Sequence, residues 1–94
     1  MTADEKRAYC EAKGYSIEYA DYWIRHPMCE CCHLFYSEAP HHLVTRGGGG
    51  GDEDSNLLAL CAGHHRTIHN VGDLQLGRLI GGVVQAKIMA AKHA

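Results

Sequence analysis

Two residues separate Cys29 from Cys32, and two separate Cys61 from His64. Paired half-sites of this kind constrain a chain more than any apolar pattern. Zinc takes four nitrogen or sulfur ligands tetrahedrally, and a Cys3His set closes its coordination. The constraint matters because the chain has only 94 residues, and a domain of this size often needs a metal or disulfide staple. Cys29, Cys32, Cys61 and His64 are therefore the predicted structural Zn2+ site. The competing reading, free buried cysteines beside a surface histidine, leaves the matched spacings to coincidence. Cys31 could replace Cys29 or Cys32 and is read as a spare thiol. Cys10 is read as a small core residue on a helix. Clustered thiols suit metal in a reducing compartment better than disulfides.

A second group of ligand-type residues lies between and beyond these half-sites. His65 and His69 are four apart and share one face of a helix. His64 is turned from His65 by about 100° around that helix. One short helix can thus aim His64 at Cys61 and aim His65 and His69 at neighbouring strands. With His41 from a strand, three imidazoles would hold a divalent ion and leave coordination positions open, as a catalytic metal requires.

The chain is expected to be a single domain, residues 1–94, in three parts. In the first, 2–27, Thr2 and Glu5 fit a capping box and Gly14 a stop, giving a helix over 3–13. Ser16 caps a second helix to about Arg25, with Ile17, Ala20 and Ile24 at helical spacing, Tyr19, Tyr22 and Trp23 adding aromatic area, and Pro27 beyond it. The second part, 28–72, carries the ligands. His42-Leu43-Val44-Thr45 has strand composition, and Leu57-Leu58-Ala59-Leu60 reads as the returning strand or the lead into a helix. Between them, Gly47–Gly51 is expected to be a mobile loop tip, because glycines lose much backbone entropy on ordering. A helix over Ala62 to about Asn70 closes at Gly72. The third part, 73–94, reads as one C-terminal helix with Leu76, Leu79, Ile80, Val83 and Ile88 on a stripe. Gly81-Gly82 would mark a kink or a close backbone approach.

The formal charge of −2 argues against nucleic-acid binding through bulk charge. The basic residues are scattered, so any such contact must be local. No long apolar run suggests a membrane span, and the polar N-terminus lacks a signal-peptide core. A cytoplasmic protein is expected.

The order Pro40-His41-His42, Asn56, His64-His65 and His69 inside the cysteine bracket resembles the HNH endonuclease family. The resemblance covers Cys29 to about Gly72, and His64 stands where many members carry a cysteine. It implies a small α+β fold: a ββα-metal core stapled by a structural zinc, with flanking N- and C-terminal helices. It implies a metal-dependent endonuclease that cuts DNA, by nicking or double-strand cleavage, to 5′-phosphate and 3′-hydroxyl ends. His41, His65 and His69 would bind one divalent ion (Mg2+, Mn2+, Ni2+ or Zn2+). His42 would be the general base, a role that an ordinary imidazole pKa of about 6.5 suits. Asn56 would bond loop backbone and hold His42 in place. Arg46 and Arg66 would contact phosphate, although each is equally readable as a solvated surface charge. The partner would be the DNA phosphate backbone with weak sequence preference. The C-terminal helix could pair with a second copy or a partner protein.

Two other readings compete. One is a non-cutting zinc-stapled nucleic-acid-binding module or accessory subunit of a larger DNA-processing complex, such as phage packaging. The other is an unrelated zinc interaction domain. One geometric tension also stands: adjacent strand residues face opposite ways, yet His41 and His42 must serve one site.

Overall fold

Local capping sets the first two helices. Thr2 Oγ1 accepts from the Glu5 amide at 3.1 Å and Glu5 Oε1 accepts from the Thr2 amide at 2.8 Å, closing a capping box at the start of α1, Ala3–Lys13. Gly14 ends α1 at φ 77°, where a Cβ would be strained. Ser16 Oγ accepts from the Tyr19 amide at 3.1 Å and caps α2, Ile17–Arg25. This computed structural model describes residues 1–93.

The element order is α1, α2, β1 (His41–His42), β2 (Leu57–Leu58), α3 (Ala62–Val71), α4 (Asp73–Ile80) and α5 (Gly82–Lys92). It is a small α+β fold. β1 and β2 pair antiparallel, with His41 opposite Leu58 and His42 opposite Leu57. The Leu43 amide donates to the Asn56 carbonyl at 2.9 Å and extends the pairing by one bond.

The run Leu57-Leu58-Ala59-Leu60 organises the interior. All four residues are buried, and their side chains alternate between two cores. Leu57 and Ala59 join Cys10, Tyr19, Ala20, Tyr22 and Trp23. Leu58 and Leu60 join Leu43, Ile68, Leu76, Val84 and Ile88. A strand buried on both faces reads as an unbroken apolar run, which is what the sequence carries here.

Three expectations are corrected. On α2 the expected Ala20, Tyr19, Tyr22 and Trp23 are buried, but the isoleucines do not share that face: Ile17 is 78% exposed and Ile24 only half-buried. The aromatic rings bury the larger areas against α1 and β2. The C-terminal part is two helices and not one, because Gly81 and Gly82 both take positive φ, 71° and 54°, and break the helix. Leu79 and Val83 consequently fall outside the stripe and are exposed. The close approach within this hairpin is at Gly77, where a Cβ would lie 3.4 Å from Ile88 Cδ1. Finally, the glycine run is not a free tip. A 3-10 turn spans Arg46–Gly48, capped by Thr45 Oγ1 on the Gly48 amide, and the Gly50 amide donates to the Thr45 carbonyl at 2.9 Å.

Candidate metal centres

The first centre forms where a turn after α2 meets the N-terminus of α3. Cys29 to His33 fold back as a knuckle: the His33 amide donates to the Cys29 carbonyl at 2.9 Å, and His33 takes φ 57°. Cys61 is the N-cap residue of α3, so His64 falls one turn along and beside it. The donor atoms of Cys29, Cys32, Cys61 and His64 all lie within 4.8 Å of one another. His64 Nδ1 is 3.7 Å from Cys29 Sγ and 3.4 Å from Cys61 Sγ. Tetrahedral zinc, with bonds of about 2.3 Å to sulfur and about 2.0–2.1 Å to nitrogen, sets sulfur–nitrogen edges of about 3.5 Å. The two measured edges bracket that value, so the donor set fits a structural metal such as zinc. The backbone N–H of Leu34 holds the Cys32 thiol below its ordinary pKa, favouring the thiolate. Cys31 is not in this set. It packs against the Leu43–Ile88 core, and burial pushes its thiol up to about 12.

The second centre lies between β1 and α3. One donor atom each from His41, His65 and His69 falls within 4.8 Å of the others. His65 Nε2 and His69 Nε2 are 3.1 Å apart. Two nitrogens bound to one ion at about 2.1 Å stand about 3.0 Å apart at a right angle and about 3.4 Å apart at the tetrahedral angle. These imidazoles are therefore spaced for a shared ion. Carboxylates meet two of them: Glu38 Oε1 is 2.7 Å from His65 Nδ1, and Asp73 Oδ1 is 3.4 Å from His41 Nε2. A carboxylate on the second nitrogen fixes ring orientation and raises basicity in metal-binding histidines. Burial pushes the Asp73 carboxyl up, but hydrogen bonds from His41 and Lys92 outweigh it and hold the group below the usual range.

His42 does not join the trio. Strand alternation holds: His41 lies on the face of Leu58 and Leu43, and His42 on the face of Leu57. The convergence comes from β1 having a free edge. A cleft of about 450 Å³ wraps it and is lined by both His41 and His42, together with His65, His69, Arg46 and Tyr15. The His42 ring stacks on Tyr19, with centroids 5.2 Å apart, and its Nε2 is 2.7 Å from Asp52 Oδ1. Asn56 is buried. Its Oδ1 accepts from the Val44 amide at 2.7 Å, and its Nδ2 donates to the Val44 and Gly51 carbonyls at 2.9 Å each. Arg46 lies over the Tyr15 ring at 5.5 Å. Arg66 is exposed on α3 and does not line the cleft.

Sequence reasoning missed Glu38, Asp52 and Asp73. No short spacing links any of them to its histidine. The usable signal was chemical: a working imidazole needs an acceptor for its other nitrogen, and Asp52 follows directly on the loop that leaves β1. Compared with protein-family models, curated proteins and solved structures, the chain matches none.

Proposed function

We propose that the chain is a metal-dependent DNA endonuclease of the HNH type, with β1, β2 and α3 as its ββα-metal core. One observation carries this reading: three imidazoles spaced for one ion share a cleft with a fourth, His42, that is not among them. His41, His65 and His69 hold the divalent ion. When bound, that ion supplies Lewis-acid stabilisation of charge on the phosphate and the leaving oxygen. His42 takes the proton of the attacking water. Asn56 pins the loop that leaves β1 and so keeps His42 in register. Arg46, at the cleft wall, contacts the scissile phosphate, and Arg66 contacts backbone further out on α3. The products carry 5′-phosphate and 3′-hydroxyl ends. Zinc on Cys29, Cys32, Cys61 and His64 is structural, and a reducing cytoplasm keeps those thiols available. Among the described residues no helix is long and apolar enough to cross a membrane.

Leu34, Phe35 and Tyr36 stand exposed beside the knuckle, which favours, as second reading, an accessory subunit that docks there without cutting. A supercoiled-plasmid assay separates the two. The zinc-loaded chain should nick or linearise plasmid with at least one of Mg2+, Mn2+, Ni2+ and Zn2+. His42→Ala should lose about 10²–10⁴-fold in rate and keep its metal affinity by calorimetry. His69→Ala should lose metal affinity, and excess metal should restore part of its cutting. Intact plasmid with every ion would overturn the nuclease reading, and equal loss of metal affinity in both variants would overturn the division of roles.

A further inference from the structure

We propose that Asp52 is the positioning residue of His42: Ser16 fixes the Asp52 carboxylate, and the carboxylate fixes the ring orientation and tautomer of His42. The kinetic consequence rests on the nuclease reading; the structural claim does not.

Asp52 makes two short contacts, one through each oxygen. Oδ1 is 2.7 Å from His42 Nε2, and Oδ2 accepts from Ser16 Oγ at 2.6 Å. The His42 and Asp52 side chains are only 13% and 14% exposed, so water competes weakly for either contact. Ser16 Oγ already accepts from the Tyr19 amide as the cap of α2. A hydroxyl has one proton to give, and this one goes to Asp52. Burial pushes the Asp52 carboxyl up, but the hydrogen bonds from Ser16 and His42 and the charge of Arg46 outweigh it, so the group is held below the usual carboxylate range. An ionised carboxylate only accepts. His42 must therefore present N–H at Nε2, which leaves the lone pair on Nδ1. The proton taken from water then goes to Nδ1, and the positive charge on the ring forms beside the Asp52 carboxylate, the logic by which an aspartate supports a catalytic histidine.

The rest of the surroundings fix the ring plane and the loop. Tyr19 stacks on the imidazole at an interplanar angle of 14°, and its hydroxyl donates to the Pro40 carbonyl at 2.5 Å. Asn56 Nδ2 holds the Gly51 carbonyl, one residue before Asp52. Ser16 and Tyr19 both belong to the start of α2. The helices ahead of the ββα core thus take part in the site.

The test uses the full-length, zinc-loaded chain labelled with nitrogen-15. Long-range proton–nitrogen spectra should show His42 as the Nε2–H tautomer. In Asp52→Ala the ring should become a tautomer mixture, while calorimetric affinity for the divalent ion stays unchanged. Cutting by this variant should fall by more than about tenfold but by less than in His42→Ala, whose loss bounds the base's whole contribution of about 10²–10⁴-fold, with KM for DNA unmoved. An unchanged Nε2–H tautomer in a folded Asp52→Ala overturns the proposal whether or not the parent chain cuts DNA. If the parent chain cuts nothing while the tautomer shifts, the nuclease reading fails and the pairing stands. Should Asp52→Ala unfold, Asp52→Asn decides: its amide can donate to Nε2 as well as accept from it, so the pure Nε2–H tautomer should be lost and any cutting should slow. A pure Nε2–H tautomer in Asp52→Asn overturns the proposal.

Discussion

Asn56 shows how much one side chain can hold. It is buried, and three hydrogen bonds join it to Val44 and Gly51 backbone. Asn56→Ala would leave the Val44 amide and two carbonyls without that partner. A stranded buried group costs about 1–3 kcal/mol, so a loss of about 2–4 kcal/mol is expected in urea unfolding. Asn56→Asp should be no better, because a carboxylate cannot donate to the two carbonyls. A loss below about 0.5 kcal/mol, the level of an ordinary surface change, would show that the loop does not depend on this residue. The meeting of His65 with His69 was legible in the sequence because one helical turn separates them, and the backbone bonding of Asn56 because it sits beside the loop it holds. Glu38, Asp52 and Asp73 were not legible. Each reaches its histidine across a chain separation set only by the finished fold, so nothing local in the sequence marks the pair.

At the scale of elements, legibility followed locality. The ends of α1 and α2 could be read because a cap and its target lie within one turn, as in Thr2 with Glu5 and Ser16 with Tyr19. The hairpin of α4 and α5 could not, because the apolar stripe from Leu76 to Ile88 keeps helical spacing across a break that only the positive φ of Gly81 and Gly82 reveals. The glycine loop failed for a related reason: composition speaks for flexibility, and packing decides it. A Cβ on Gly50 would stand 1.9 Å from the Val44 carbonyl oxygen, whereas one on Gly47 would meet nothing within 4 Å. Gly50→Ala should therefore cost about 1–3 kcal/mol, as overpacking does. Gly47→Ala should be neutral or gain about 0.4–1 kcal/mol by restricting the unfolded chain. Equal effects of the two substitutions on the urea midpoint would return the loop to a mobile tip. Beyond the glycines, Arg25 pairs with Asp54 through two contacts, at 2.8 and 3.0 Å. Both side chains are more than half exposed, so this pair steers the loop and adds little to stability.

At the scale of the whole molecule, the two cores share one strand, and the Cys29, Cys32, Cys61 and His64 cluster lies at that strand's end. Glu30, next to Cys29, links the parts. Its amide donates to the Ala59 carbonyl at 2.8 Å, and its Oε2 accepts from the Ala59 amide at 2.7 Å and the Tyr22 hydroxyl at 2.6 Å. Lys87 of α5 donates to the same hydroxyl at 2.6 Å. Loss of the knuckle should therefore release α2, β2 and α5 together. The magnitudes agree: structural zinc binding is worth about 10–16 kcal/mol in small zinc-finger peptides, and a whole domain is stable by only about 5–15 kcal/mol. Trp23 reports the outcome, since it is buried in the α1–α2 core and is not a ligand. In a His69→Ala background, where the histidine trio is incomplete, a chelator should strip one zinc per chain. Trp23 emission should shift to the red in the same transition that removes the helical circular dichroism, and zinc should reverse both. Cys29→Ser or Cys61→Ser should start in that unfolded state. Native Trp23 emission after the zinc has gone, or two separated transitions, would mean that the α1–α2 core stands alone and that the cysteine–histidine cluster braces only the α3–α5 side.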